Sequence, residues 1–509
     1  MRDNGGWRAD GSGGVAVVVG VVALGVLAEL VAVLAATRRH FTYTLDDAYI
    51  HLTLAQQIAH GHYGLDPGVA SSPSSSILWP FLLAPLSFLP HPDIWPLVLN
   101  AGFTVGTAVF LFHGLRRSMP GPAAAALTCL LVLGLNVVGI AFTGMEHSLQ
   151  VLIASMVACG LLVVVDEEPV PRYLWVAIAL GPLVRYELAA VSAAAALVLV
   201  ASGHWRKAAV ATATWVAGVA AFSAFLVLHD LDPLPSSILA KSHYGEDLSV
   251  HTLAKQVAVA LDHPAFRLCL AIVLVDWAVR REWGRLHTFV SLVLLAHAVA
   301  GDFGWFGRYD VYLYVATTPL LVRFLSAWWA RGRRAWLPVA VTAALAALAV
   351  TPLVEVTMHT PAGARDIWSQ QAQTADFVRE QWQRPVAVND LGLVAYRGDQ
   401  TVLDLGGLAS QEARRARLAD DGSAWMDDLV RRSGVGLVAI YTHWFESVPT
   451  SWTLVGRISG TPSVSSAQPS VDLYVVDPAD ASTVCDELLE FGRTTLSSWT
   501  HVSCLAPRS

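Results

Sequence analysis

Residues 14–36 read GVAVVVGVVALGVLAELVAVLAA, and residues 37–51 continue TRRHFTYTLDDAYIH. The first stretch has one charged residue, Glu29, and is long enough to cross a hydrocarbon core of about 30 Å. It lacks a small-residue cleavage site and is therefore read as a retained anchor. The second stretch is polar and opens a loop that runs to residue 93. This alternation of apolar run and polar loop continues to residue 355. Its effect on the whole chain is a composition 54% hydrophobic and 14% charged, with a mean hydropathy of +0.51. Soluble chains carry about 25% charged residues, so most of this one is short of solvated surface.

Further apolar runs are expected to span at 94–115, 121–142, 147–165, 173–186, 188–203, 208–228, 265–279, 286–302, 309–329 and 335–355, giving eleven with the first. The run at 77–89 is only 13 residues long and holds Pro80 and Pro85, which suits an interfacial or re-entrant segment. Alternate loops carry the arginines: Arg116 and Arg117, Arg172, Arg206 with Lys207, Arg280, Arg281 and Arg285, and Arg331, Arg333 and Arg334. The positive-inside bias puts these loops and the amino terminus in the cytoplasm. Residues 356–509 then form an extracytoplasmic soluble domain. Arg38 and Arg39 break the bias by standing beside the first outer loop.

That terminal domain has β-like runs at Pro385–Val388, Thr401–Asp404, Gly436–Tyr441, Trp452–Ile458 and Asp472–Val476, with helical stretches near 365–382 and 410–433. The pattern predicts a small α/β layer. No G-x-G-x-x-G fingerprint is present, so no nucleotide site is expected. The loops Asn389-Asp390-Leu391-Gly392 and Asp404–Leu408 read best as turn chemistry. Of five cysteines, Cys129, Cys159 and Cys269 lie in apolar runs and read as packing residues, while Cys485 and Cys504 could pair in an oxidising compartment. The net charge of −7 comes with no basic stripe, so no nucleic-acid partner is expected.

Polar groups concentrate in the outer loops. Asp46 and Asp47 precede a helical pattern. There a carboxylate either caps backbone N–H groups or acts as a general base towards a hydroxyl nucleophile. Gly144-Met145-Glu146-His147 forms the second outer turn, and its acid is either a solvated helix end or part of a site. Arg185 and Glu187 lie between two apolar runs, where charges are costly and usually paired or functional. Pro235-Ser236-Ser237 leads to Ala240-Lys241-Ser242-His243. Gly301-Asp302-Phe303 leads to Arg308-Tyr309. Lys241 and Arg308 are isolated cations on a cation-poor face, which would suit a phosphate or a nearby acid equally.

Taken together these elements resemble the GT-C glycosyltransferases, multi-span enzymes that use polyprenyl-phosphate sugars, and among them bacterial envelope enzymes similar to arabinofuranosyltransferases. The resemblance covers roughly residues 14–500. It rests on an Asp-Asp-Ala-Tyr-Ile start to the first outer loop (Asp46–Ile50), a Gly-Met/Leu-Glu turn (Gly144–Glu146) and an Arg-x-Glu element (Arg185 and Glu187). It rests further on a Pro-Asn-Thr…Ala-Lys loop and a Gly-Asp-Trp…Arg-Tyr/Phe loop. Here those two carry Ser236-Ser237 and Phe303 in place of Asn-Thr and Trp. The Ser71–Ser76 run stands where relatives show Tyr-Thr-Asn-Pro.

The resemblance implies an inverting transfer, at the outer face of a bacterial plasma membrane, from a polyprenyl-phosphate sugar to an envelope glycan, lipid or protein. It implies Asp46 as the base with Asp47 beside it, and Lys241, Arg308 and Arg185 as donor-phosphate ligands. Arg38 and Arg39 are reserve candidates. Tyr49, Glu146, His147, Glu187, His243, Asp302 and Tyr309 are substrate-binding candidates. Asp46, Asp47 and Glu146 could share Mg²⁺ or Ca²⁺ if they converge. A lipid or glycan transporter, or a non-catalytic envelope-complex subunit, is the alternative reading.

Overall fold

The computed structural model describes residues 11–241, 249–329, 355–419, 422–461, 464–494 and 498–505. His243, the side chain of Lys241, Arg331, Arg333, Arg334 and residues 335–354 of the last expected span lie outside the described residues.

Four helices are long and apolar enough to cross a membrane: Ser12–Ala36, Pro92–Leu115, His147–Val165 and Trp205–Leu228. Val250–Asp262 and Pro264–Arg280 make a fifth if their 89° bend belongs to one broken span. Pro264 causes the break, because a residue before proline is pushed out of the helical region, and His263 is extended at φ −74°, ψ 119°. The expectation of eleven spans is therefore corrected to four or five among the described residues. The other apolar runs are helical but short. The run expected at 121–142 is cut by Asn136 in a left-handed conformation, φ 54°, leaving Gly121–Gly134 and Val137–Ala141. Arg172–Val184 and Leu188–Ala201 are separated by an extended Arg185 that follows Pro182. Arg285–Ala300 and Val311–Ala327 also fall below spanning length. Residues 78–88 form a short helix and a 3₁₀ turn.

His147–Val165 is the axis of the bundle. In its most apolar stretch 72% of residues are buried, against 17% in Ser12–Ala36 and in Trp205–Leu228, whose apolar faces look outward. Small residues let its neighbours close in. A Cβ added at Gly160 would lie 2.7 Å from Leu174, and one at Gly114 would lie 2.9 Å from the Cys159 sulfur.

The terminal domain is a six-stranded sheet in the order β2-β1-β3-β5-β4-β6. The strands are β1 Val386–Val388, β2 Val402–Asp404, β3 Leu437–Ile440, β4 Thr453–Ser459, β5 Ser470–Val475 and β6 His501–Cys504. β1 pairs parallel with β2 and β3, and the remaining pairs are antiparallel. The fully buried triplet Val386–Val388 fits a strand covered on both faces. Cys485 and Cys504 form a disulfide that ties the helix Ala481–Thr494 to β6. One apolar cluster runs from this sheet into the loop after Ser12–Ala36 and joins Val388, Leu393 and Trp368 to Tyr43, Tyr49 and Trp79. The two units are thus packed as one body at one end of the bundle.

Candidate functional site

The helix Asp47–Ala59 starts at the two acids, and an acid in its first turn, Asp47, suits the positive helix end. Asp46 does not cap this helix with its side chain. Its carboxylate reaches into the terminal domain, where it accepts the backbone N–H groups of Gly392 (2.5 Å) and Leu393 (2.9 Å). These open the short helix Gly392–Arg397, so Asp46 caps a helix 346 residues away in sequence. The approach is tight: a Cβ at Gly392 would lie 2.1 Å from the Asp46 carbonyl oxygen. Asp46 is buried. Burial, and then the neighbouring Asp390 charge, hold its carboxyl well above the usual carboxylate range. Burial also raises Asp390, which accepts from Gln371 Nε2 (2.9 Å) and Tyr441 Oη (3.4 Å).

Asp47 faces elsewhere. It pairs with Arg308 Nη1 at 2.9 Å and keeps 30% of its side chain exposed, whereas Arg308 keeps 5%. Arg308 also donates to Tyr309 Oη (2.6 Å) and the Met145 sulfur (2.8 Å). Glu146 is fully buried. It accepts from Arg185 Nη1 (2.6 Å) and Ser75 Oγ (3.4 Å) and lies 3.5 Å from His51 Nε2. Arg185 turns its other edge to Glu187 in a bidentate pair, 3.0 and 2.5 Å. The break after Pro182 lets it do so, since an extended residue between two helices can hold its side chain across the bundle. The Tyr309 ring joins the two ion-pair groups, with the Arg308 guanidinium 4.7 Å and the Arg185 guanidinium 5.8 Å from its centroid. His147 meets the same ring edge-on at 6.0 Å.

Beside this network is a cavity of about 320 Å³, lined by Arg185, Glu187, Ser237, His297, Asp302 and Tyr309 among others. Two of its buried polar atoms, Ser237 Oγ and His297 Nε2, have no hydrogen-bond partner among the described residues. His297 Nδ1 lies 3.0 Å from Tyr312 Oη. A buried polar atom without a partner is costly, so these two are free to meet a ligand.

The structure thus brings together Asp47, Glu146, His147, Arg185, Glu187, Arg308 and Tyr309, with Asp302 on the cavity wall. It separates Asp46, which serves the domain junction. Tyr49 also lies outside the cavity, with its hydroxyl accepting from Tyr43 N and its ring against Tyr396. Arg38 and Arg39 are exposed beyond the end of Ser12–Ala36. Asp46 accepts from Gly392 and Leu393, Asp47 from Arg308, and Glu146 from Arg185. Among the described residues no group of three His, Cys, Asp or Glu side chains is placed to hold a metal.

His51, His297 and Asp390 carry contacts that sequence reasoning did not assign to the site, and Ser237 leaves its hydroxyl unpartnered on the cavity wall. His51 follows Asp47 by four residues, the spacing that puts side chains on one helical face. The remainder depend on long-range packing.

No curated protein matches the chain. A family model described as a domain of unknown function, DUF8728, matches residues 365–474. Among solved structures, the chain is similar to the oligosaccharyltransferase of Archaeoglobus fulgidus in its apo form, with 12% identity, a TM-score of 0.48, and coverage of 87% of this chain and 73% of that one. For the same enzyme with Zn and sulfate the identity is 11% and the TM-score 0.48, covering 90% and 73%. For its complex with an inhibitory peptide and a dolichol-phosphate they are 10% and 0.47, covering 87% and 73%.

Proposed function

We propose that the chain is a membrane glycosyltransferase that moves a sugar from a polyprenyl-phosphate donor to an envelope glycan, lipid or protein on the extracytoplasmic face, with inversion. The observation that carries this reading is the cavity beside Tyr309. It sets a buried arginine, an acid and two unpartnered polar atoms at the end of a membrane helix bundle, where a lipid-borne phosphate sugar would present its headgroup.

In this reading the donor phosphate sits at Arg185, whose guanidinium is held in place by Glu146 and Glu187. Arg308 also lies against the Tyr309 ring, 4.7 Å from its centroid, and adds a second cation. Lys241 is retained as a phosphate ligand from the resemblance. Preorganised cations of this kind stabilise charge as it develops on a leaving phosphate. We place the base on Asp47 and not on Asp46, because Asp47 is partly exposed and adjoins Arg308, whereas both oxygens of Asp46 are taken by backbone donors. Asp47 takes the proton of the acceptor hydroxyl. That oxygen forms the new bond to the anomeric carbon, and the old carbon–oxygen bond breaks with its electron pair leaving on the polyprenyl phosphate. Ser237, His297 and Asp302 orient the sugar hydroxyls. The disulfide supports an oxidising compartment for the terminal domain.

The broken helices, the 89° bend at His263-Pro264 among them, favour a transporter, since such breaks line many transport sites. Purified protein incubated with a panel of polyprenyl-phosphate sugars and an extract of envelope glycans, lipids and proteins as acceptor, followed by mass spectrometry, separates the two. Release of free polyprenyl phosphate supports transfer. Donor binding without release supports transport and overturns the transferase reading.

A further inference from the structure

The helix His147–Val165 meets the Glu146 network at its start and Asp166 at its end. Nineteen residues at 1.5 Å each separate those ends by about 28 Å, close to the thickness of a hydrocarbon core, about 30 Å. Both ends therefore stand at the level of lipid headgroups. At the Asp166 end lies a second cavity, about 300 Å³, whose wall includes Arg117, Asp166, Arg280, Arg323 and Ser326.

Three arginines and one acid line it, and they come from four separate helices. Arg117 follows Trp95–Leu115, Asp166 follows His147–Val165, Arg280 ends Pro264–Arg280, and Arg323 lies within Val311–Trp329. Asp166 ties two of the arginines together, accepting from Arg117 Nη2 and from Arg323 Nη2, each at 2.8 Å. Arg117 Nη2 also reaches Glu168 at 2.7 Å. Arg280 gives Nε to Asp276 and Nη2 to the Arg323 carbonyl. A guanidinium has five N–H donors. Nε and Nη1 of Arg117 and Arg323, and Nη1 of Arg280, have no hydrogen-bond partner among the described residues. The arginine side chains remain 28–33% exposed, so these donors are accessible. Leu162, Val322 and Ala327 complete the wall with apolar surface.

We infer that this second cavity binds the phosphodiester headgroup of an anionic membrane phospholipid. Unused guanidinium donors can grip phosphate oxygens in pairs. Basic pockets between membrane helices are where acidic lipid heads bind. The apolar wall and headgroup depth fit a phosphate that arrives on a lipid, whereas a soluble phosphate would gain nothing from either. The site is at the far end of the bundle from the Tyr309 cavity and does not depend on the transferase reading.

The test uses the full chain in phosphatidylcholine nanodiscs titrated with phosphatidylglycerol, with retained lipid counted by native mass spectrometry. The parent should retain phosphatidylglycerol selectively. Arg117→Gln with Arg323→Gln should retain about tenfold less. Lys at both positions, which keeps charge but loses the planar fork, should fall between. Arg281→Gln, an exposed arginine outside the cavity, should match the parent. If the double Gln variant does not fold, Arg323→Gln alone gives the same reading with a smaller loss. Parental retention in the Gln variants, an equal loss in Arg281→Gln, or competition by inorganic phosphate as effective as by phosphatidylglycerol would each overturn the proposal.

Discussion

The two ends of the axial helix hold similar numbers of charges in opposite environments. At its start, Glu146 and Arg185 are 0% and 5% exposed and locked into one network. At the other end, Arg117, Asp166 and Glu168 are 29%, 41% and 52% exposed. Water screens the second group, so its ion pairs are weak and its arginines keep donors to spare. The first group has no water to fall back on, so each charge depends on its partner. The network at the start of the helix is therefore a fixed frame, and the cluster at its end is an adaptable surface.

The strongest way to break this contrast is Arg185→Ala. It leaves Glu146 buried without its main partner, and stability in detergent should drop by about 3–5 kcal/mol, read as the free energy of chemical unfolding. A loss below 1 kcal/mol would mean that water enters the network freely. Gly392→Ala comes next. Its new Cβ would collide with the Asp46 backbone, and an overpacked contact of this kind costs about 1–3 kcal/mol. Limited proteolysis should then release the terminal domain more readily than in the parent. The smallest effect belongs to Arg117→Ala, whose exposed pairs should contribute no more than about 1 kcal/mol in detergent. A larger loss there would show that the Arg117 cluster is as rigid as the Arg185 network.

The sequence made the architecture partly legible. Five of the six strands follow runs of apolar and β-branched residues, because those runs are buried in a sheet. β6 escaped because its four residues, His501–Cys504, alternate between exposed and half-buried at the sheet edge. Hydropathy located the apolar helices but overcounted spans, since it does not see breaks such as those at Asn136, Arg185 and His263. The Arg185–Glu187 pair was legible from its cost at membrane depth. Asp46 was not, because its partners are backbone N–H groups at Gly392 and Leu393, and no side-chain pattern marks a backbone donor. Asp390 read as a turn residue for the same reason: its meaning comes from a carboxylate that folding brings beside it.

The division of labour between the adjacent acids is the centre of the account, and single-turnover release of polyprenyl phosphate tests it most directly. The parent, Asp46→Asn and Asp47→Asn would each be loaded with an accepted donor and mixed with the same acceptor extract, and released lipid phosphate followed by mass spectrometry. Asp47→Asn should still bind donor and lose about 10²–10⁴-fold in rate, since asparagine cannot take the acceptor proton. Asp46→Asn keeps an acceptor oxygen for the Gly392 helix and should lose less. Parental turnover in Asp47→Asn, with Asp46→Asn inactive but folded, would contradict the assignment and return the base to Asp46.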